Sequence, residues 1–281
     1  MAPLTSPTTV ANHLGEPGWV LVDCRFDLRD PNLGFKAYQE GHIPGARYAH
    51  LDTDLSGEIG VRDGRHPLPD TLHIAQTLSN WGIDNSSNVI AYDDVSGAIA
   101  ARLWWLLRWL GHQSVSILDG GLDAWLADRR EVESGLPTWG SAEFTAAPPR
   151  NHWVVGSGEL VELMHSGALL LDARSDDRFR GILEPLDPVA GHIPNARNLP
   201  FSSLIGPNKT LLPVQQLNER FNSVLDGREG AEVIAMCGSG VTACHLLLAM
   251  NVAGLGDGRL YAGSWSQWIR DGNREIVTGP G

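Results

Sequence analysis

The stretch EVIAMCGSGVTACHLLLAM, residues 232–250, changes character at one point. Val233–Met236 is an apolar run of strand length, and from Thr242 to Met250 the apolar residues continue long enough for a buried helix. Between them stand Cys237, Gly238, Ser239, Gly240 and Val241. A short buried strand, a glycine loop and an apolar helix together predict an α/β domain with a mainly parallel sheet. In such sheets ligands bind outside the carboxyl ends of the strands, and Cys237 stands at one of those ends.

The same organisation is written twice. VLVDCR (20–25), GHIPGA (41–46), VIAYDD (89–94) and GGLDAW (120–125) recur as LLLDAR (169–174), GHIPNA (191–196), VIAMCG (233–238) and GSWSQW (263–268). Four landmarks in one order, offset by 143 to 150 residues, mark a duplicated domain. The expected division is a first domain over residues 1–135, a Pro- and Gly-bearing linker over 136–151 and a second domain over 152–281. Each copy is expected to be a mainly parallel sheet flanked by helices. AIAARLWWLLRWLG (98–111), apolar over several turns and closed by Gly111, is one of those helices.

Composition bounds the rest. The chain has 281 residues, 42% of them hydrophobic, enough to bury a full core. Its 33 acidic against 21 basic residues give a formal charge of −12, which disfavours nucleic acid and anionic membranes as partners. The N-terminal residues lack a basic start followed by an apolar core, so no signal peptide is expected, and no apolar run is long enough to span a bilayer. Three scattered cysteines, Cys24, Cys237 and Cys244, form neither a disulfide framework nor a zinc pattern. No metal or organic cofactor is expected. The expected setting is the cytoplasm, with a monomer acting on small molecules.

The two copies serve as each other's control. His42 and His192 occupy matching GHIP turns, and Asp23–Arg25 matches Asp172–Arg174, so these residues read as structural. At the strand-to-helix junction the copies part: Asp93–Asp94 in the first, Cys237–Gly238 in the second. Asp93 suits a helix cap. Cys237 suits a nucleophile, because loop amides and the helix start favour an anion on its sulfur. Gly238 and Gly240 let the backbone curl so that successive N–H groups, on to Val241 and Thr242, can face that sulfur, while the Ser239 and Thr242 hydroxyls add donors. Cys24 and Cys244 read as small buried apolar residues.

These landmarks, with a cysteine only in the second copy, resemble the two-domain rhodanese-like sulfurtransferases over nearly the whole chain. The loop CGSGVTA is similar to that of the 3-mercaptopyruvate sulfurtransferases, whereas the animal thiosulfate enzymes carry two basic residues directly after the cysteine. The resemblance implies tandem rhodanese-like domains and a persulfide on Cys237. It also implies a substrate-carboxylate arginine in an R-F-x-G segment, here Arg178 of RFRG, with Arg180 a near rival. A second carboxylate-binding arginine often follows in the family, but here that stretch reads ILEPLDPVA and contains none. From the first copy the resemblance implies an acid that helps orient Ser239, matched by Asp52 with Asp54 as a competing alignment, and a histidine matched by His66 in RHPLP.

The implied activity is transfer of sulfur from 3-mercaptopyruvate through Cys237 to a thiol, cyanide or a thioredoxin-like protein, by double displacement. Thiosulfate is the alternative donor. A cysteine phosphatase of related fold needs an arginine six residues after the cysteine, and residue 243 is Ala. A non-catalytic rhodanese-like binding module would lack the cysteine in both copies.

Overall fold

The computed structural model describes all residues, 1–281. They form two compact units. The first comprises Met1–Gly57, Leu68–Arg150 and Pro207–Leu211; the second comprises Glu58–Pro67, Asn151–Gly206 and Leu212–Gly281. A ten-residue segment from the first half of the sequence thus belongs to the second unit.

The first unit holds a five-stranded sheet of β1 (Leu4–Thr5), β2 (Trp19–Asp23), β3 (Arg47–Tyr48), β4 (Asn88–Tyr92) and β5 (Val115–Leu118), ordered β1-β5-β4-β2-β3 with every pairing parallel. Its helices are α1 (Pro7–Asn12), α2 (Leu33–Glu40), α3 (Thr71–Asn80), α4 (Ala100–Trp109) and α5 (Gly121–Ala127). Residues 136–150 carry no helix or strand yet are tied to this unit. Trp139 Nε1 donates to the Asn80 carbonyl at 2.8 Å, Ala147 N–H donates to the Leu110 carbonyl at 3.1 Å, and Phe144 is buried.

The second unit repeats the plan with α6 (Leu160–His165), β6 (Leu169–Asp172), α7 (Asp176–Phe179), β7 (Arg197–Asn198), α8 (Val214–Leu225), β8 (Val233–Met236), α9 (Thr242–Val252), β9 (Arg259–Leu260) and α10 (Ser264–Trp268). Its four strands are parallel in the order β7-β6-β8-β9, and a parallel bridge from Val154 to Leu260 extends the edge. β6 and β8 are buried along their whole lengths, as parallel strands covered on both faces must be. Helix α9 is buried from Ala243 through Met250, so it has no polar face and lies inside the core. Helix α8 instead buries only Leu217, Phe221 and Leu225, one stripe at fourfold spacing. Leu170, Ile234, Met236, Phe179, Tyr261 and Trp265 make up much of the core around β6 and β8. Each such side chain contributes about 1.5–3 kcal/mol on burial. No helix is long and apolar enough to cross a membrane.

The repeated landmarks make repeated contacts. Arg25 pairs with Asp23 and donates to the Gly41 carbonyl at 2.7 Å; Arg174 pairs with Asp172 and donates to the Gly191 carbonyl at 2.8 Å. Both pairs are buried. His42 and His192 are buried, and Nδ1 of each lies within 2.8 Å of a backbone carbonyl, that of Tyr38 and of Phe179 respectively. The GHIP histidines and the D-x-R pairs therefore tie each sheet to its following turn.

Candidate active site

Cys237 follows β8 directly and is buried. Its Sγ accepts the Gly240 N–H at 3.1 Å. Gly240 has a φ of +79°, and a β-carbon there would strike the Ala262 carbonyl, so the loop can close under the sulfur only with glycine at this position. Helix α9 starts at Thr242, its axis beginning just beyond the sulfur-binding turn, with Val241 as the flanking residue. The turn into α10 fixes the backbone of Cys237. Its N–H donates to Ser264 Oγ at 3.1 Å, that hydroxyl donates to the Tyr261 carbonyl at 2.9 Å, and Trp265 N–H donates to the Cys237 carbonyl at 3.0 Å. Ser264 adopts φ +52°, the left-handed region, and these hydrogen bonds hold it there.

The first unit shows what the equivalent loop holds when no cysteine is present. The Asp93 carboxylate accepts four backbone N–H groups, from Val95, Gly97, Ile99 and Ala100, at 2.8–2.9 Å. Leu122 N–H donates to the Asp93 carbonyl at 2.9 Å, as Trp265 N–H does to Cys237. Burial pushes the Asp93 carboxyl up from its ordinary range, with the four amides opposing it. A strand-end loop of this kind is thus an anion cradle, and in the second unit a sulfur replaces the carboxylate.

A chain of alternating charges leads to the Cys237 loop. Asp172 binds Arg174; Arg174 Nη1 reaches Glu184 at 3.4 Å; Glu184 accepts Arg178 Nε at 3.0 Å on both carboxylate oxygens; Arg178 Nη2 reaches Asp187 Oδ2 at 3.1 Å. Asp187 Oδ1 then accepts from Arg65 Nη1. Burial raises the Asp187 carboxyl above its usual range; Arg65 and Arg178 oppose that shift and Glu184 adds to it. Both outer arginines crowd the loop. A β-carbon on Gly238 would lie 2.9 Å from Arg65 Nη2 and 3.2 and 3.4 Å from the two terminal nitrogens of Arg178. Glycine at 238 leaves that space to the guanidinium groups.

His66, in the segment Glu58–Pro67 of the second unit, is buried, and its Nδ1 lies 2.7 Å from Ser239 Oγ. The second unit therefore gathers Cys237, Gly238, Ser239, Gly240, Val241, Thr242, His66 and Arg178. Arg180 is half exposed and pairs with Asp176 at 3.3 Å, one turn away on its own helix. Asp52 belongs to the first unit, where its N–H donates to His50 Nδ1 at 3.2 Å; Asp54 Oδ2 accepts the His50 N–H at 2.7 Å. Cys24 is buried, and burial, followed by Asp93, Asp23 and Asp54, pushes its thiol well up. Cys244 Sγ donates to the Gly240 carbonyl at 3.3 Å from inside α9.

Sequence reasoning missed Arg65, Glu184, Asp187 and Ser264. Arg65 adjoins His66 in the chain, but nothing in one sequence says that residues 58–67 join the second unit. Asp187 and Glu184 lie in ILEPLDPVA, where no motif marks either acid.

Comparison with known proteins agrees with this construction. The Rhodanese-like domain family matches residues 6–128 and 157–271. The chain belongs to the rhodanese-like family. Among rhodanese-like relatives, it is 47% identical over 281 residues to a probable 3-mercaptopyruvate sulfurtransferase of Pseudomonas aeruginosa, covering 99% of both chains. It is 37% identical over 273 residues to a putative thiosulfate sulfurtransferase of Mycobacterium tuberculosis, covering 94% of this chain and 92% of that one. The crystal structure of a 3-mercaptopyruvate sulfurtransferase from Escherichia coli superposes with a TM-score of 0.82 at 30% identity, over 95% of this chain and 100% of the other.

Proposed function

We propose that this rhodanese-like protein is a 3-mercaptopyruvate sulfurtransferase working through a persulfide on Cys237. One observation carries the proposal: the Cys237 sulfur rests on the Gly240 amide at the head of α9, with the Arg178 guanidinium beside the adjoining Gly238. The Pseudomonas aeruginosa and Escherichia coli relatives carry the same substrate in their names, and the Mycobacterium tuberculosis relative carries thiosulfate.

The Cys237 thiolate attacks the sulfur of 3-mercaptopyruvate. The S–S bond forms as the C–S bond breaks, and the electron pair of that bond passes to carbon as the enolate of pyruvate. Arg178 holds the substrate carboxylate. The enolate takes a proton and leaves as pyruvate, with the sulfur bound to Cys237. Ser239, its oxygen beside His66 Nδ1, is the hydroxyl that donates a hydrogen bond to the oxygen where charge develops. From the first copy, Asp52 is assigned the acid's role on the strength of the motif that carries it. Amides of Gly238, Gly240, Val241 and Thr242 stabilise the terminal sulfur of the persulfide, as the Asp93 cradle does for a carboxylate. A thiol, a thioredoxin-like protein or cyanide then attacks that sulfur and Cys237 leaves as thiolate. Three free cysteines suit a reducing compartment, and a cytoplasmic monomer is the proposed form.

Thiosulfate is the second candidate donor, favoured by one observation: two guanidinium groups, not one, stand at Gly238. Intact-protein mass after incubation with each donor, followed by cyanide, tests both. A one-sulfur gain with 3-mercaptopyruvate that cyanide removes and Cys237→Ser abolishes is the expected result. A gain with thiosulfate alone overturns it.

A further inference from the structure

The two guanidinium groups beside the Cys237 loop do not bring two uncompensated charges to it. Arg178 Nη2 binds Glu184 Oε1 at 2.8 Å and Asp187 Oδ2 at 3.1 Å, and Arg65 Nη1 binds Asp187 Oδ1. With the Asp172–Arg174 pair, which Glu184 also joins, the cluster holds three carboxylates and three arginines. The Asp187 and Glu184 side chains are only 4% and 3% exposed, so water and salt screen their charges weakly. The loop itself adds no charge, for Gly238, Ser239, Gly240, Val241 and Thr242 carry none.

Asp187 differs from the other acids in what it touches. Glu184 binds Arg174 and Arg178, of which Arg178 stands at Gly238. Asp187 binds Arg178 and Arg65, and both stand there, with nitrogens 2.9–3.4 Å from the position of a β-carbon on Gly238. Its carboxylate is one guanidinium group away from an anion held at that place. It comes from Ile182–Ala190, a stretch with two acids and no arginine or lysine.

A fixed carboxylate repels an incoming anion in proportion to that anion's charge, so it disfavours a dianion about twice as strongly as a monoanion. 3-Mercaptopyruvate with its thiol protonated carries one negative charge, and thiosulfate carries two. We infer that Asp187 is a specificity-determining residue, whose carboxylate offsets guanidinium charge beside Gly238 and turns the site toward a singly charged sulfur donor and away from thiosulfate. The inference rests on the assignment of 3-mercaptopyruvate as donor.

The test uses the full chain with Asp187→Asn and Asp187→Glu, and cyanide as the common acceptor. In a double displacement, kcat/KM for the donor reports the loading step alone. For Asp187→Asn, kcat/KM for thiosulfate relative to 3-mercaptopyruvate is expected to rise about tenfold or more, as one buried charge is removed. Dividing one donor by the other cancels any general loss of alignment. Inhibition by sulfate strengthens relative to inhibition by pyruvate, and since neither carries transferable sulfur, that shift reads charge rather than chemistry. Asp187→Glu, which keeps the charge, stays within about threefold of the wild-type ratio. An unchanged donor ratio in Asp187→Asn, with wild type loading from 3-mercaptopyruvate, overturns the inference alone. So does an equal loss on both donors, which would make Asp187 a structural pin. Should Asp187→Asn fail to fold, the wild type decides: tighter inhibition by sulfate than by pyruvate overturns the inference, and the reverse order supports it. A wild type that takes sulfur only from thiosulfate overturns the donor assignment and this inference with it.

Discussion

His66 Nδ1 lies 2.7 Å from Ser239 Oγ, although 173 positions separate the two residues in the chain. Both are buried, so the pair is shielded from competing water. If the histidine orients the hydroxyl, the two act as one unit. Ser239→Ala and His66→Ala are each expected to lower kcat by about 10²-fold, the usual cost of removing one oriented donor. The double variant is expected to be no slower than either single one, a non-additivity read from steady-state rates in a double-mutant cycle. Multiplicative losses would mean that the two side chains work separately.

Asp93→Asn is expected to destabilise the first unit. The amide keeps one acceptor oxygen and turns a donor group toward amides that need an acceptor, leaving up to two of the four N–H groups unpaired. A loss of about 2–3 kcal/mol is expected from urea unfolding. Burial raises the Asp93 carboxyl, so its native form is protonated more readily than the unfolded one. The penalty for ionised Asp93 is therefore relieved as pH falls toward the ordinary carboxylate range, and the wild-type advantage over Asp93→Asn, which does not titrate there, should grow in acid.

His192 answers to pH in the opposite sense. Burial lowers its pKa from the ordinary 6.5, more than the Phe179 carbonyl and Asp172 raise it. The unfolded chain then binds the proton more readily than the native one. The stability tied to neutral His192 is complete above the unfolded pKa and is lost as pH falls below it. His192→Asn, which keeps a side-chain donor for the Phe179 carbonyl, should lose less stability than wild type between pH 7.5 and 5.5. Urea midpoints at the two pH values measure this, and parallel losses in both proteins would refute it.

Much of this architecture is legible in the sequence because it is written twice. Short runs such as VLV and LLL can only be buried strands when long apolar helices separate them, and the recurring D-x-R and GHIP landmarks mark the same tie between strand and turn in both units. The cysteine at the end of β8 is legible for the same reason, since its counterpart is an aspartate. The Arg65–Asp187–Arg178 cluster is not legible. It depends on where a ten-residue segment packs, and neither periodicity nor turn chemistry encodes that across more than a hundred residues. The buried depth of the ion pairs is also hidden, because strand-end charge pairs look alike in sequence whether wet or dry.

Residues 58–67 belong to the second unit and residues 207–211 to the first. A protein cut at the middle of its sequence would therefore yield two fragments, each missing a piece of its own body. The C-terminal fragment would keep Cys237 and its glycine loop but lose His66 and Arg65. After the ancestral duplication, then, the copies gave up their independence: one supplies parts to the other, and the site can be inherited only as a whole chain.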